Sequence, residues 1–295
     1  MATKQKLSVY ELVTNRILSI MEENKELPWH KPWAGGSAGR PMSFHSQKAY
    51  RGVNVFLLTA CGFASPYWLT FKQTQARGGN VMKGQKGCPV VFFKWFKTRD
   101  RETGLEKEIP MLRYYTVFNA EQIEGIDFPS TEEKEQTPDF TPIDTAQQII
   151  DAMPCRPEIT HMEASASYSS TWDRVNLPKP ELFESETEYY CTAFHELVHS
   201  TGHETRLNRV EGMNSEYGDH SYSKEELTAE MGAAMLCAEA GILMHTEKNS
   251  AAYLKGWSRK LRNNPRWLVQ AASQAQKAVD LILDNAAPQA LPVAA

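Results

Sequence analysis

Apolar residues recur at three- and four-residue intervals through Val9, Leu12, Val13, Ile17 and Ile20, so the chain opens on an amphipathic helix over Leu7–Met21. A short apolar run predicts a second helix over Val55–Cys61. Cys88–Trp95 and Leu112–Phe118 predict strands parted by a charged turn, Thr98–Glu108. Beyond them a helix starts at Thr141 and Pro142 and runs to about Met153. The helical period returns at Ser185–His203. Ser185 and Glu188 have capping-box spacing there, Phe194, Leu197 and Val198 form the stripe, and Gly202 stands at the expected stop. A further helix over Ser223–Glu239 turns Leu227, Met231, Ala234, Met235 and Ala238 inward, and two helical pieces interrupted near Pro265 follow between Asn249 and Asp284.

Phe128–Pro142 is polar, acidic and proline-rich, which marks a linker. The pattern therefore predicts an α+β chain: a domain over 1–127, a linker over 128–142, a second domain over 143–286 and a disordered tail over 287–295. Hydrophobic residues make up 41% of the chain, and no run is long enough to span a bilayer, so no membrane partner is expected. Met1–Lys6 leads into a charged amphipathic segment, not the apolar stretch of a signal peptide. The five cysteines lack C-x-x-C spacing and read as reduced thiols, which points to the cytoplasm.

Charge divides the chain as well. Residues 1–120 hold 18 lysines and arginines against 8 acidic residues, whereas the remainder holds 14 against 28. One half thus suits a polyanion. Its basic residues alternate with aromatic ones, and aromatic rings offer unstacked bases a surface while Lys and Arg follow the phosphates, so single-stranded nucleic acid is the expected partner. The stacking candidates are Trp29, Trp33, Phe44, Tyr50, Tyr67 and Trp68; the phosphate candidates are Lys48, Arg51, Lys72, Arg77, Lys83 and Lys86. Gly78–Gly87 has two glycines at P-loop spacing, but Gln85 stands where the lysine belongs, which excludes a nucleotide triphosphatase.

The acidic half carries the chemistry. His195-Glu196-Leu197-Val198-His199 places two imidazoles four residues apart on one helix face, where both reach one metal ion. Glu196 lies beside them as the candidate general base of metal-assisted hydrolysis. Three protein ligands and an open position make such a centre, and the second helix offers Glu226, Glu230 or Glu225 as the third. Glu230 also suits a position behind a histidine ring. Ser223 and Glu226 have capping-box spacing too, so Glu226 has a purely structural alternative. His203 follows Gly202 directly, out of register with a third histidine ligand. It stays an outer or alternative ligand, His161 reads as a strand residue, and Tyr217 or Tyr222 could support an oxyanion. Zn2+ suits this donor set, with another divalent metal such as Mn2+ as the alternative.

His195-Glu-Leu-Val-His199-Ser-Thr-Gly202-His203, followed by Glu226-Leu-Thr-Ala229-Glu230, resembles the zincin-like domain of the ArdC antirestriction proteins of conjugative plasmids. Lys48-Ala-Tyr50-Arg51-Gly-Val-Asn54, Trp68-Leu-Thr-Phe71-Lys72-Gln73, Gly79 and Lys83-Gly-Gln-Lys86-Gly resemble the DNA-binding half of the same family. The resemblance implies that Glu226 is the third ligand, and that Ile159–Met162 and Ala166–Val175 are the strands that precede the active-site helix of zincins, so that the second half is α+β with a small sheet. It further implies a protein that binds single-stranded DNA and shields an incoming plasmid strand from host restriction, with a host restriction–modification component as a peptide target. Two other readings are a DNA-binding protein with a structural or vestigial metal, and a cytoplasmic zinc protease whose basic half recruits acidic substrates.

Overall fold

Helix α1 (Val9–Asn24) starts after Ser8, whose hydroxyl accepts the Glu11 N–H at 3.2 Å while the Glu11 carboxylate accepts the Ser8 N–H at 2.7 Å. Its stripe of Val13, Ile17, Leu18 and Ile20 is buried, as the period demands. The structure, a computed structural model, describes residues 7–28, 39–99, 106–129, 142–209, 220–242 and 251–284. Trp29, Trp33, most of the linker, Tyr217, the Tyr222 side chain and the tail lie outside the described residues.

Strands β1 (Met42–Ser43), β2 (Lys48–Ala49), β3 (Tyr67–Thr70), β5 (Cys88–Arg99) and β6 (Glu106–Asn119) form one sheet in the order β2-β1-β3-β6-β5. Only β1 and β3 run parallel within it. Helix α2 (Val53–Thr59) begins two residues earlier than its apolar run suggests, because Gly52 at φ 58° turns the chain into it. The β5–β6 hairpin pairs from Cys88 and Val117 out to Arg99 and Glu106, so both ends of the stretch expected as a charged turn, Thr98–Arg99 and Glu106–Glu108, are strand, and the residues between them lie outside the described ones. In that register Lys97 is the Cα partner of Glu108 and Arg99 that of Glu106. Helix α3 (Phe71–Ala76) and the small pair β4 (Asn80–Val81) and β7 (Ile123–Glu124) complete this half.

The second half begins with α4 (Pro142–Ala152) and a three-stranded sheet of β8 (Glu158–Thr160), β9 (Ser167–Ser169) and β10 (Arg174–Asn176) in the order β8-β10-β9. Helices α5 (Glu186–Ser200), α6 (His220–Glu239), α7 (Ala251–Asn263) and α8 (Arg266–Ile282) follow. The halves are not separate bodies on a tether. Val13, Ile17 and Phe56 share one hydrophobic cluster with Leu268, Ala271 and Val279. The Thr14 hydroxyl donates to the Pro265 carbonyl at 2.8 Å, and the Gln276 side chain accepts from both Arg40 and the Gly52 N–H at 3.1 Å. Arg51 pairs with Asp280 and Arg40 with Glu239.

Helix α6 meets α5 at Gly232. A Cβ there would lie 2.7 Å and 2.9 Å from the two methyls of the fully buried Val198, so only glycine lets the two helices approach this closely. Gly232→Ala is expected to destabilise the chain by about 1–3 kcal/mol through overpacking, a cost that outweighs the gain in helix propensity. In a Val198→Ala background the same substitution should become neutral or stabilising. Urea denaturation of the four-member cycle reads this coupling.

Candidate metal centre

Helix α5 is started by Ser185, whose hydroxyl accepts the Glu188 N–H at 3.2 Å. The reciprocal half of the expected box is displaced by one residue, since the Glu188 carboxylate accepts the Glu184 N–H at 2.9 Å. The helix ends at Ser200, two residues before Gly202. Phe194, Leu197 and Val198 anchor its inner face, which leaves His195 and His199 half-buried on the side turned to α6.

Three ligand atoms converge there. His195 Nε2 and His199 Nε2 lie 3.1 Å apart; Glu226 Oε1 is 3.4 Å from His199 Nε2, and Glu226 Oε2 is 3.7 Å from His195 Nε2. Bond lengths of 2.0–2.2 Å in a tetrahedral shell put neighbouring ligand atoms about 3.4 Å apart, so these side chains already fit a divalent cation. Among the described residues, His195, His199 and Glu226 are the one group of three or more such donors within mutual reach. Helix α6 begins at His220, so Ser223 lies inside the helix and is not its cap. The capping alternative for Glu226 is thereby removed, and its carboxylate is left to face the imidazoles.

Behind His199 stands Glu225, which the sequence offers only as an alternative ligand. The buried Glu225 carboxylate is 3.5 Å from His199 Nδ1 and accepts two hydrogen bonds from Arg209, at 3.0 Å from Nε and 2.7 Å from Nη2. Arg209 also donates to the Thr201 hydroxyl and the Val198 carbonyl, both at 2.9 Å, so the turn after α5 is fastened to α6 through one guanidinium. Burial alone would push the His199 pKa down. The facing carboxylates of Glu225 and Glu226, aided by the charge of Glu196, override it and lift the value to about 10. Burial would likewise raise Glu225, but His199 and Arg209 hold it at about 2. Three carboxylates around two imidazoles thus demand positive charge, which either a proton or a metal cation satisfies. Glu196 is 8% exposed, on the same helix as the imidazoles.

His203 is turned elsewhere, its Nδ1 lying 2.8 Å from the Thr205 hydroxyl and accepting the Thr205 N–H at 3.3 Å. His161 Nδ1 sits 3.2 Å from the Leu177 and Pro178 carbonyls, tying the ends of β8 and β10. Arg206 is buried in an ion pair with Asp173, whose carboxylate also accepts the Tyr168 hydroxyl at 2.7 Å.

In the basic half, Lys48, Lys72, Arg77, Lys83 and Lys86 are exposed, and the Arg77 guanidinium lies 5.0 Å from the centre of the half-buried Phe44 ring. Trp68 and Tyr67 must be withdrawn as stacking candidates. They lie on β3, a central strand covered on both faces, and are 2% and 8% exposed. Tyr50 is half-buried against the core, with its hydroxyl pKa pushed up by burial, and Arg51 is engaged with Asp280. Exposed rings are supplied instead by Phe71 at 48%, Tyr114 at 46% and Tyr115 at 49%. Tyr115 stacks on Phe92 with centroids 4.4 Å apart and planes 1° from parallel. Phe71 opens α3, and the sequence signal for Tyr114 and Tyr115 was the strand pattern of β6.

Because Glu225 has a folded-state pKa of about 2 against an ordinary 4.5, its pairing stabilises the fold fully above the ordinary value and is lost as pH falls toward 2. The stability gap between wild type and Glu225→Gln is therefore expected to narrow as pH falls from about 5 to about 3, read by urea denaturation. Arg209→Ala strands a buried carboxylate and should cost about 3 kcal/mol at neutral pH by the same measurement.

Comparison with known proteins accords with this geometry. Residues 144–274 match the zincin-like metallopeptidase family, and residues 7–118 match the N-terminal domain of the anti-restriction factor ArdC. The metal-free crystal structure of antirestriction protein ArdC from plasmid R388 is 37% identical with a TM-score of 0.74, over 95% of this chain and 98% of that one. Its Mn(II)-bound form is 36% identical with a TM-score of 0.71, over 96% and 99%. A DNA primase TraC of Escherichia coli is 35% identical over 93% of this chain, but the chain spans only 27% of that primase. An uncharacterized protein, y4eC of Sinorhizobium fredii, is 32% identical over 92% of this chain and 90% of its own length. Matched in both halves, and covering a solved ArdC almost end to end, the chain belongs to the ArdC family of antirestriction proteins and carries a zincin-like domain in its second half.

Proposed function

We propose that this protein binds single-stranded DNA through its basic half and protects incoming conjugative DNA from host restriction in the cytoplasm, with a divalent metal held by His195, His199 and Glu226 in a peptidase-like centre. The observation that carries the reading is the convergence of those three donors at near-tetrahedral spacing, beside a buried Glu196. The Mn(II)-bound form of the R388 ArdC supports a divalent ion in this donor set, and Zn2+ suits it equally. The DNA part is supported by the exposed lysines and arginine around β2, α3 and β4, and by the exposed rings on α3 and β6. Relatives named DNA primase share this stretch.

Each residue has a role in this reading. Glu225 accepts from His199 Nδ1 and thereby fixes the ring with Nε2 toward the centre. When bound, the cation supplies Lewis acidity to a peptide carbonyl and to water. Glu196 takes the proton of the attacking water and delivers it to the departing amine. A host restriction–modification component is the proposed peptide target.

Glu226→Gln is expected to abolish metal uptake from either Zn2+ or Mn2+ solutions by elemental analysis, whereas Glu196→Gln retains it. On labelled casein, Glu196→Gln should lose hydrolysis by at least about 100-fold. Wild type that binds metal yet leaves casein and restriction proteins uncut would instead favour a structural role for the ion. For DNA, Tyr115→Ala should weaken binding to labelled oligo(dT) about tenfold by fluorescence anisotropy. Lys72→Ala and Lys83→Ala should each reduce the salt dependence, by roughly 0.7 in slope. No affinity at low salt would remove DNA from the reading.

A further inference from the structure

Two thiols that take no part in the proposed centre face each other across the same helix pair. Cys191 lies on α5 one turn before His195, and Cys237 lies on α6 five residues beyond Gly232. The Cys237 thiol donates to Cys191 Sγ at 3.2 Å. We propose that Cys191 and Cys237 are a redox-active pair which a hydroperoxide converts to a disulfide, pinning α5 to α6.

The geometry supports this in three ways. First, closing to a bond of 2.05 Å requires the sulfurs to approach by about 1.2 Å, within reach of side-chain rotation where helices already touch. Second, exposure is unequal: Cys191 is half-buried and accessible to a small oxidant, while Cys237 is buried behind it. The hydrogen bond to Cys191, with burial, pushes the Cys237 thiol up, so it stays protonated while its neighbour meets the oxidant. Third, the glycine contact at Gly232 and Val198 holds the helices at one separation, which leaves the sulfurs in register.

The step balances. Hydrogen peroxide transfers one oxygen to the Cys191 sulfur, which gives a sulfenic acid and one water. The Cys237 sulfur then displaces the sulfenic hydroxyl, which leaves with the Cys237 proton as a second water, and the S–S bond forms. Two thiols are oxidised and one peroxide is reduced to two waters. A second thiol pair, Cys61 and Cys88, both of whose thiols donate to the Leu57 carbonyl, at 3.4 Å and 3.3 Å, lies in the other half and is the internal competitor.

The test uses the full chain with Cys61→Ser, so that this competing bridge cannot form. The reduced protein is treated with about one equivalent of hydrogen peroxide, quenched with N-ethylmaleimide, digested and mapped by mass spectrometry. A linked peptide joining Cys191 to Cys237 is expected, with the unfolding midpoint raised by roughly 5–10 °C relative to the reduced protein. Cys237→Ser should leave a Cys191 sulfenic acid that dimedone traps, and Cys191→Ser should leave Cys237 unoxidised. Recovery of Cys191 and Cys237 as separately alkylated peptides, at a dose that oxidises the exposed Cys155, overturns the proposal. So does a linked form with an unchanged or lowered midpoint. These readouts need no bound metal, so they stand apart from the assignment of the ligands.

Discussion

The close approach of α5 and α6 is the contact on which the rest of the structure depends. It rests on the missing side chain of Gly232 against Val198, and it sets the distance at which a carboxylate from one helix meets two imidazoles from the other. Had the helices stood a methyl group farther apart, Glu226 would face water. Three carboxylates and two imidazoles then concentrate negative charge in a half-buried place, and Arg209 neutralises only the outer one, Glu225. Electrostatics alone leaves the inner position in need of a cation.

The basic half is built on the same principle of one shared core. Helix α1 and the Arg51–Val53 turn rest on α8, and α8 in turn packs on α6, so the sheet that presents the exposed rings is mechanically continuous with the centre. Charge is partitioned on the surface while apolar burial is common to both halves. A polyanion could be held on one side without its charge opposing the carboxylates on the other.

Much of this was legible in the residues. The histidine pair, the helix that bears it and the order of the two halves follow from spacing, because a four-residue interval means one helix face whatever surrounds it. Glu225 was not legible as the partner of His199, since its role depends on Arg209, sixteen residues upstream in a turn that no local pattern encodes. Trp68 and Tyr67 read as a stacking surface because a central strand and an exposed aromatic stretch have the same composition. Only the sheet order separates them. The two strands β5 and β6 were legible but their outward extension to Arg99 and Glu106 was not, because a charged stretch resembles a turn until the pairing partner is known. The acidic, proline-rich stretch suggested two separate domains, and nothing local announced that α1 would pack on α8.

A crystal of the protein soaked with Mn(II) and measured at the manganese absorption edge tests the central claim most directly. One anomalous peak is expected within about 2.0–2.3 Å of His195 Nε2, His199 Nε2 and a Glu226 carboxylate oxygen. A peak elsewhere, or none between α5 and α6, contradicts it.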